Sequence, residues 1–216
     1  MISGILFDLD GTLADTAPDL AYALNQTLLH QGKAELPFEK IRPVVSHGGR
    51  ALIELGFGYG PDHENYESVR EFLLDIYLNN IARHTKFFPG MEDLLLTIES
   101  KSLPWGVVTN KPGWLTDPLM DAMNLTHRAC CIVSGDTCEN NKPHPEPMYY
   151  ACEQANIDPT LCLYVGDADR DIEAGRAAGM KTVGALFGYI LEGEDPMDWN
   201  ADVYINHPCE LIKLLE

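Results

Sequence analysis

Two aspartates near the N-terminus have the residue type and spacing for shared chemistry. Asp8 and Asp10 follow a short apolar run at residues 5–7, and alternate residues of an extended chain point the same way. Their carboxylates could share a cation, or divide the roles of nucleophile and proton donor. Gly11 and Thr12 come next, and a glycine allows the backbone to approach a phosphate closely. The segment is equally typical of an ordinary turn, so alone it does not decide between these interpretations.

Three further polar residues could hold a phosphate. Thr109 and Asn110 end the apolar run at residues 105–108, and a hydroxyl and an amide there could donate hydrogen bonds to phosphate oxygens. Lys142 opens a proline-rich stretch, and a lysine acts as a point charge on a phosphate or on a carboxylate nucleophile. A solvated lysine in a proline-rich loop is the simpler explanation when this stretch is taken by itself.

A second acidic cluster follows the apolar run at residues 161–165. Asp167, Asp169 and Asp171 alternate along the chain, and Mg²⁺ prefers carboxylate oxygens together with water. Acids in the first turn of a helix are also favoured by the helix dipole, which is the interpretation we prefer for Asp169. Asp167 and Asp171 are therefore the candidate metal ligands of this cluster.

The order of helical and apolar segments predicts how these residues come together. After Pro89-Gly90, helical spacing covers residues 91–100, 145–156 and 169–178, and apolar strands cover 105–108, 129–133, 161–165 and 181–186. This alternation predicts an α/β fold with a parallel sheet and helices on both faces. Ligands of such sheets bind beyond the carboxyl ends of the strands, which is where the candidate residues lie.

Residues 17–82 have a different character. Apolar residues recur there at helical spacing without strand-like alternation, which predicts an all-helical insert. We therefore expect a core formed by residues 1–15 and 85–216, and a helical domain at 16–84. A glycine turn at residues 46–50 could bring Arg50 onto a substrate carboxylate, although a solvent-exposed arginine at the start of a helix accounts for it equally well.

Charge and composition exclude several partner classes. The chain of 216 residues has 15 basic and 33 acidic residues, for a formal net charge of −18, which disfavours nucleic acid and anionic membranes. No apolar run approaches the roughly 20 residues of a membrane span, and no leader precedes the first strand, so we expect a cytoplasmic protein. The six cysteines form no CxxC pair, and we expect reduced thiols.

The four polar motifs, taken in order, resemble those of the haloacid dehalogenase (HAD) superfamily over nearly the whole chain. DLDGT is similar to the first motif, VVTN to the second, the lysine of KPHPEP to the third and GDADRD to the fourth. FDLDGTLADT with KPHPEP resembles phosphoglycolate phosphatases, and LPWGVVTNKP, GYILEGEDPMDWNADVYI and HPCEL resemble the branch with N-acetylmuramic acid 6-phosphate phosphatases. The resemblance implies a Rossmann-like (HAD) core and a small helical cap, inserted after the first strand, that selects the substrate.

The resemblance also implies catalytic roles. Asp8 would attack phosphorus and form an aspartyl phosphate, and Asp10 would protonate the leaving alcohol and then activate water. Thr109, Asn110 and Lys142 would hold the transferring phosphoryl oxygens.

A magnesium ion is implied by the same resemblance. Asp8, the Asp10 carbonyl and Asp167 would hold Mg²⁺, with Asp171 fixing Lys142 or a water on the metal. Gly11 and Thr12 would belong to the phosphate-binding turn.

The expected function is hydrolysis of a small phosphorylated metabolite. Phosphoglycolate is the first expectation and N-acetylmuramic acid 6-phosphate the alternative, and a mutase of the β-phosphoglucomutase type is less favoured. True dehalogenases of the superfamily lack an aspartate at the position of Asp10, because halide needs no proton. A non-catalytic receiver domain phosphorylated on Asp8 is a third alternative. A receiver needs no cap, so the helical insert argues against it. The sequence does not distinguish a monomer from a dimer.

Overall fold

The computed structural model describes residues 2–215 and contains a six-stranded parallel sheet. The strands, numbered along the chain, are β1 (Gly4–Phe7), β2 (Ala14–Asp15), β3 (Lys86–Phe87), β4 (Trp105–Val108), β5 (Ile132–Val133), β6 (Cys162–Gly166), β7 (Lys181–Ala185) and β8 (Val203–Ile205). In space the order is β5-β4-β1-β6-β7-β8, and β2 pairs with β3 in a separate ladder. The expected α/β class with a parallel sheet is confirmed.

Helices flank the sheet and form the insert. They are α1 (Ala17–His30), α2 (Phe38–Ile41), α3 (Gly48–Phe57), α4 (Tyr66–Asn79), α5 (Met91–Ser100), α6 (Gly113–Ala122), α7 (Glu146–Ala155) and α8 (Asp169–Ala177). Short 3-10 helices cover Arg42–His47, Pro159–Leu161, Pro196–Trp199 and Pro208–Leu214. Within the described residues, no helix combines the length and apolar character needed to cross a membrane.

Side chains of the central strands alternate between two apolar clusters. Ile5 and Phe7 of β1 join one cluster, and Leu6 between them joins the other, with Met148 and Ala151 of α7. Every residue of β1 and β4 is buried. Both faces of the sheet are therefore covered, which explains why these strands have continuous apolar sequences instead of alternating ones.

The helices α1 to α4 lie between β2 and β3 and form the predicted helical segment. Ala14 pairs with Phe87 and Asp15 with Lys86 in the antiparallel ladder. This ladder joins the points where the chain enters and leaves the segment. The exact division of the chain into a core and a cap at residues 16 and 84 stays a prediction.

The predicted strand at residues 129–133 is too long. Only Ile132–Val133 form β5. The Ala129 amide donates to the Leu125 carbonyl and so belongs to the turn after α6, whereas the Cys130 amide already donates to the Trp105 carbonyl of β4. The ladder β2–β3, helix α6 and strand β8 were not predicted.

All six cysteines are free, as expected.

The carboxylate of Asp19 fixes the chain where it leaves the helical segment. Asp19, in the first turn of α1, is buried and accepts hydrogen bonds from the His84 amide (3.0 Å) and from the Thr85 amide (2.9 Å) and hydroxyl (2.7 Å). A charged acceptor with several donors stabilises a fold more than a neutral hydrogen bond does. One side chain thus ties the first helix of the insert to the point where the chain leaves it.

Replacing Asp19 by alanine should destabilise the protein. Loss of the charged acceptor should cost about 2 kcal/mol, which corresponds to a melting temperature lower by roughly 4–8 °C for a chain of this size. Thermal denaturation followed by circular dichroism measures the change. Asp75→Ala, which removes an exposed acid of α4, is the matched control and should stay within about 2 °C of wild type. Equal shifts for both variants would contradict the assigned role.

Candidate active site

Strand β1 delivers Asp8 to the carboxyl edge of the sheet. The Asp8 amide donates to the Val165 carbonyl of β6 (2.9 Å), which extends the strand pairing by one residue. The side chain is buried, and its Oδ1 accepts a hydrogen bond from the Leu9 amide (2.8 Å). The position and the orientation of the carboxylate are therefore both fixed by backbone groups.

The turn after Asp8 is built around the Asp167 carboxylate. Gly11 has φ +85°, and a Cβ atom there would overlap that carboxylate. Thr12 is buried, and its Oγ1 donates to Asp167 Oδ1 (3.3 Å). Only glycine allows so close an approach at this backbone conformation. In this structure Gly11 and Thr12 pack on Asp167, and their contact with a phosphate stays a prediction.

Three carboxylates converge to form a candidate metal site. Oxygen atoms of Asp8, Asp167 and Asp171 lie within 4.8 Å of one another, and all three residues are buried. Burial, together with the charges of Asp8 and Asp171, raises the pKa of Asp167 to about 7. Such crowded carboxylates fit a hard divalent cation, which prefers oxygen ligands and offsets their repulsion.

Lys142 is the cation at the centre of the site. Its Nζ lies 2.9 Å from Asp8 Oδ1 and 2.7 Å from Asp171 Oδ1, and its side chain is 1% exposed. It also donates to the Val108 carbonyl (2.9 Å) and to the Tyr164 hydroxyl (2.8 Å). Asp171 therefore holds Lys142 directly, which is one of the two roles expected for it. Tyr164 was not predicted as part of the site.

The two polar residues at the end of β4 have different positions. Thr109 is buried, lines the cavity and accepts a hydrogen bond at Oγ1 from the Lys111 amide (3.2 Å). Asn110 also lines the cavity, but its side chain exchanges two hydrogen bonds with the Lys142 backbone, at 2.9 and 3.0 Å. Asn110 thus supports Lys142, and direct contact of its amide with a phosphate stays a prediction.

The side chain of Asp10 is separate from the three-carboxylate cluster. Its carboxylate accepts hydrogen bonds from Thr16 Oγ1 (2.5 Å) and from Lys111 Nζ (3.1 Å). The expected metal ligand at this residue is the backbone carbonyl, so the carboxylate can take another role. Asp8 and Asp10 therefore have different environments despite being two residues apart, as a division between nucleophile and proton donor requires.

A cavity of about 420 Å³ connects these residues to the cap. Asp8, Asp10 and Thr109 line its inner end, and Leu74, Tyr77 and Arg70 of α4 line the cap side with Ser46, His47 and Arg50. The Ser46 hydroxyl donates to Asp167 (2.8 Å), and Arg170 donates to the Ser46 carbonyl (2.7 Å). The glycine turn of the cap therefore reaches the core directly.

Arg50 lies at the outer rim of this cavity. Its guanidinium pairs with Glu54 at 2.8 Å, and its side chain is 67% exposed. The pair is a solvent-exposed i,i+4 contact, which is worth little energetically. The exposed guanidinium is therefore only weakly held by Glu54. Its contact with a substrate carboxylate stays a prediction.

The comparisons with known proteins agree with this geometry. Residues 5–185 match the family model described as haloacid dehalogenase-like hydrolase. The chain belongs to this family. A solved structure from Haemophilus somnus, described as a predicted phosphoglycolate phosphatase, aligns with a TM-score of 0.88 at 24% identity, over 100% of this chain and 98% of that one. That likeness confirms the HAD fold.

Three curated relatives are phosphatases. An N-acetylmuramic acid 6-phosphate phosphatase of Pseudomonas putida is 41% identical over 100% of this chain and 96% of its own. A phosphoglycolate phosphatase of Xanthomonas campestris is 39% identical, over 96% and 93%. A phosphoglycolate phosphatase of the same P. putida strain is 33% identical, over 86% and 70%. This HAD enzyme is a phosphoric monoester hydrolase.

The raised pKa of Asp167 predicts a pH-dependent stability of the metal-free protein. Between the ordinary pKa of 3.8 and the folded value of about 7, the folded state binds more protons than the unfolded state. Stability should therefore fall as pH rises through this window, and Mg²⁺ should restore it. Thermal melts in chelator from pH 5 to pH 8, with and without Mg²⁺, measure both effects.

Asp167→Asn tests the origin of this dependence. The variant should melt higher than wild type in chelator at pH 8 by a few degrees, and it should lose the stabilisation by Mg²⁺. Asp169→Asn, which changes an exposed acid of the same cluster, is the matched control and should behave as wild type. A flat pH profile of the chelator-treated wild type would count against the assignment.

Proposed function

We propose that this enzyme is a Mg²⁺-dependent phosphatase that hydrolyses N-acetylmuramic acid 6-phosphate through a phosphoaspartate on Asp8. The observation that carries the choice of substrate is the cavity of about 420 Å³ between the carboxylates and the cap. A cavity of this size falls within the roughly 300–1,000 Å³ that encloses a drug-sized ligand. An acylated amino sugar fits that range, whereas phosphoglycolate has only two carbon atoms beyond its phosphate.

Two relatives from one organism support the same choice. The chain is 41% identical to the N-acetylmuramic acid 6-phosphate phosphatase of P. putida over its full length, but 33% identical to the phosphoglycolate phosphatase of that strain over 86% of its residues. Phosphoglycolate is the second candidate, because the X. campestris relative with that function is 39% identical. Both substrates have a carboxylate.

The first chemical step needs a fixed nucleophile. Asp8 Oδ1 is engaged by the Leu9 amide and Lys142, which leaves Oδ2 without a donor among residues 2–215. In this step a bond forms between Asp8 and phosphorus, the ester bond breaks, and Asp10 gives its proton to the leaving alcohol. In the second step Asp10 takes a proton from water, which attacks phosphorus and releases phosphate from Asp8.

Charge stabilisation comes from the groups around the transferring phosphoryl. Asp8, Asp167 and the Asp10 carbonyl would hold Mg²⁺, which, when bound, offsets negative charge on the phosphate oxygens. Lys142 supplies a positive charge that is already in place before the substrate arrives. Preorganised charges of this kind lower the barrier because they need no reorganisation during the reaction. A cytoplasmic location stays a prediction.

Variants of the two motif aspartates should lose activity but differ in stability. Asp8→Asn should lower kcat by about a thousandfold or more, and Asp10→Asn by roughly 100- to 10,000-fold. Asp8→Asn removes one of three crowded carboxylates and should melt near or above wild type in chelator. Asp10→Asn leaves the buried ammonium of Lys111 without its anion and should melt several degrees lower. Phosphate release and thermal melts measure both properties, and a strongly active Asp10→Asn enzyme would contradict the acid/base role.

A substrate panel tests the choice of substrate. The catalytic efficiency with N-acetylmuramic acid 6-phosphate should exceed that with phosphoglycolate by at least about tenfold, since more of the cavity is filled. N-acetylglucosamine 6-phosphate is the matched control, because it differs only in lacking the lactyl ether that carries the carboxylate, and it should be hydrolysed less efficiently. A preference for phosphoglycolate would overturn the proposed substrate and leave the phosphatase mechanism intact. Formation of an isomeric sugar phosphate without phosphate release would indicate a mutase.

A further inference from the structure

Lys111 is a buried cation beside Asp10 that none of the four motifs explains. Its Nζ lies 3.1 Å from Asp10 Oδ1 and 3.3 Å from Oδ2, and its side chain is 7% exposed. Both residues line the cavity. The ammonium thus bridges the two oxygens of the carboxylate that has to face the leaving group.

The backbone of Lys111 is anchored on the core. Its carbonyl accepts hydrogen bonds from the Gly135 amide (2.8 Å) and from Thr116 Oγ1 (3.1 Å), and its amide donates to Thr109 Oγ1 (3.2 Å). These contacts fix the start of the side chain. The lysine therefore reaches Asp10 from a rigid base instead of from a free loop.

The end of the Lys111 side chain is held from the cap. Nζ lies 4.5 Å from the ring centroid of Tyr77, which belongs to α4 and is fully buried. A cation over a buried aromatic face is stabilised electrostatically. Lys111 is therefore held by the core at one end and by the cap at the other.

We propose that Lys111 is a positioning residue that holds the Asp10 carboxylate in the orientation required for proton transfer to the leaving oxygen. The proposal rests on the proposed acid/base role of Asp10. Thr16 Oγ1 donates to Oδ1 of the carboxylate at 2.5 Å, and among the residues that the structure describes only Lys111 donates a hydrogen bond to Oδ2. Thr16 alone would leave rotation about the Cβ–Cγ bond less restricted. Lys111 supplies the second point that fixes the plane of the carboxylate.

A role in stability alone does not explain this ion pair. Two buried opposite charges must be desolvated, and replacing such a pair by apolar residues is frequently neutral or stabilising. The pair also lies in the wall of the cavity, where an apolar replacement would leave Asp10 free to turn. Its position beside the proton donor therefore indicates a part in the reaction.

The leaving group of the substrate separates positioning of Asp10 from other roles. An alkyl phosphate releases an alkoxide unless it is protonated, so it depends on Asp10. Acetyl phosphate releases acetate, which needs no proton. The parameter kcat/KM reports the steps up to release of this leaving group. Loss of Asp10 positioning should consequently affect alkyl phosphates far more than acetyl phosphate.

The experiment compares Lys111→Met with wild type on N-acetylmuramic acid 6-phosphate, phosphoglycolate and acetyl phosphate, all with saturating Mg²⁺. For the better alkyl phosphate we expect kcat/KM to fall by about 100-fold, within the usual range of general acid catalysis. For acetyl phosphate we expect a change of no more than about threefold, which also shows that the variant is folded and retains its phosphate site. Equal losses on all three substrates, or no loss, would overturn the proposal.

Further variants make the test specific. Lys111→Arg should recover part of the activity on alkyl phosphates, because the guanidinium can bridge both carboxylate oxygens. Tyr77→Leu should reproduce part of the selective loss. Lys101→Met, which changes an exposed lysine directly after α5, is the matched control and should leave both activities at the wild-type level. If Lys111→Arg is no more active on alkyl phosphates than Lys111→Met, positioning through a charged contact is contradicted.

The double variant Lys111→Met with Asp10→Asn distinguishes the proposal from the proposed function. If Lys111 acts through Asp10, its removal from Asp10→Asn should change kcat/KM for acetyl phosphate and for alkyl phosphates by less than about threefold, since coupled residues are not additive. If Asp10→Asn alone keeps wild-type activity on alkyl phosphates, the proposed acid/base role fails. If Asp10→Asn is selectively impaired but Lys111→Met is not, only the positioning proposal fails.

Discussion

The structure depends on one buried lysine and the opposite charges around it at the carboxyl edge of the sheet. Lys142 pairs with Asp8 at the end of β1 and with Asp171 in the first turn of α8, and it also donates to the Val108 carbonyl at the end of β4. A buried charge without its partner costs several kcal/mol. These segments must therefore assemble together for any one of the charges to be accommodated. The ends of β1 and β4 and the start of α8 therefore share one buried cation.

One lysine does not balance the three carboxylates that surround it. The excess of negative charge, added to burial, raises the pKa of Asp167. Burial alone would lower the pKa of Arg170, but the charges of Asp171, Asp8 and Asp167 raise it. The same guanidinium holds the Ser46 carbonyl of the cap. Arg170 therefore connects the core to the cap, because it offsets the charge of the carboxylates and also binds the cap turn.

The sequence allowed prediction of features that depend on local pattern. Apolar runs that end in Asp8, Thr109 and Asp167 indicated three strand ends, and their meeting follows from the parallel sheet. The Met91–Ser100 helix was predicted from spacing alone and has those bounds. By contrast, β2 and β3 contain only two residues each, which is too short for any periodicity. Their pairing depends on the closure of an insert of about seventy residues.

Side-chain roles that depend on tertiary contacts could not be predicted in the same way. Asn110 has the residue type of a phosphate ligand, but its amide is engaged by the Lys142 backbone. Lys111 lies between a motif and a proline and has no pattern of its own, because its partners come from residues 10 and 77. The chemistry of a residue type limits what it can do, and the neighbours that select one role are brought together only by the fold.

The overall charge of −18 does not set the potential that a substrate meets in the active site, for a physical reason. Exposed acids are screened over a Debye length of about 8–10 Å at physiological salt, so they contribute little to the potential deep in a cleft. Inside the site, the nearest positive charges are Lys142, Lys111 and Arg170, together with the cation that the carboxylates fit. A phosphate therefore responds to these few buried groups. The exposed acids act mainly at long range, where they disfavour polyanions such as nucleic acids.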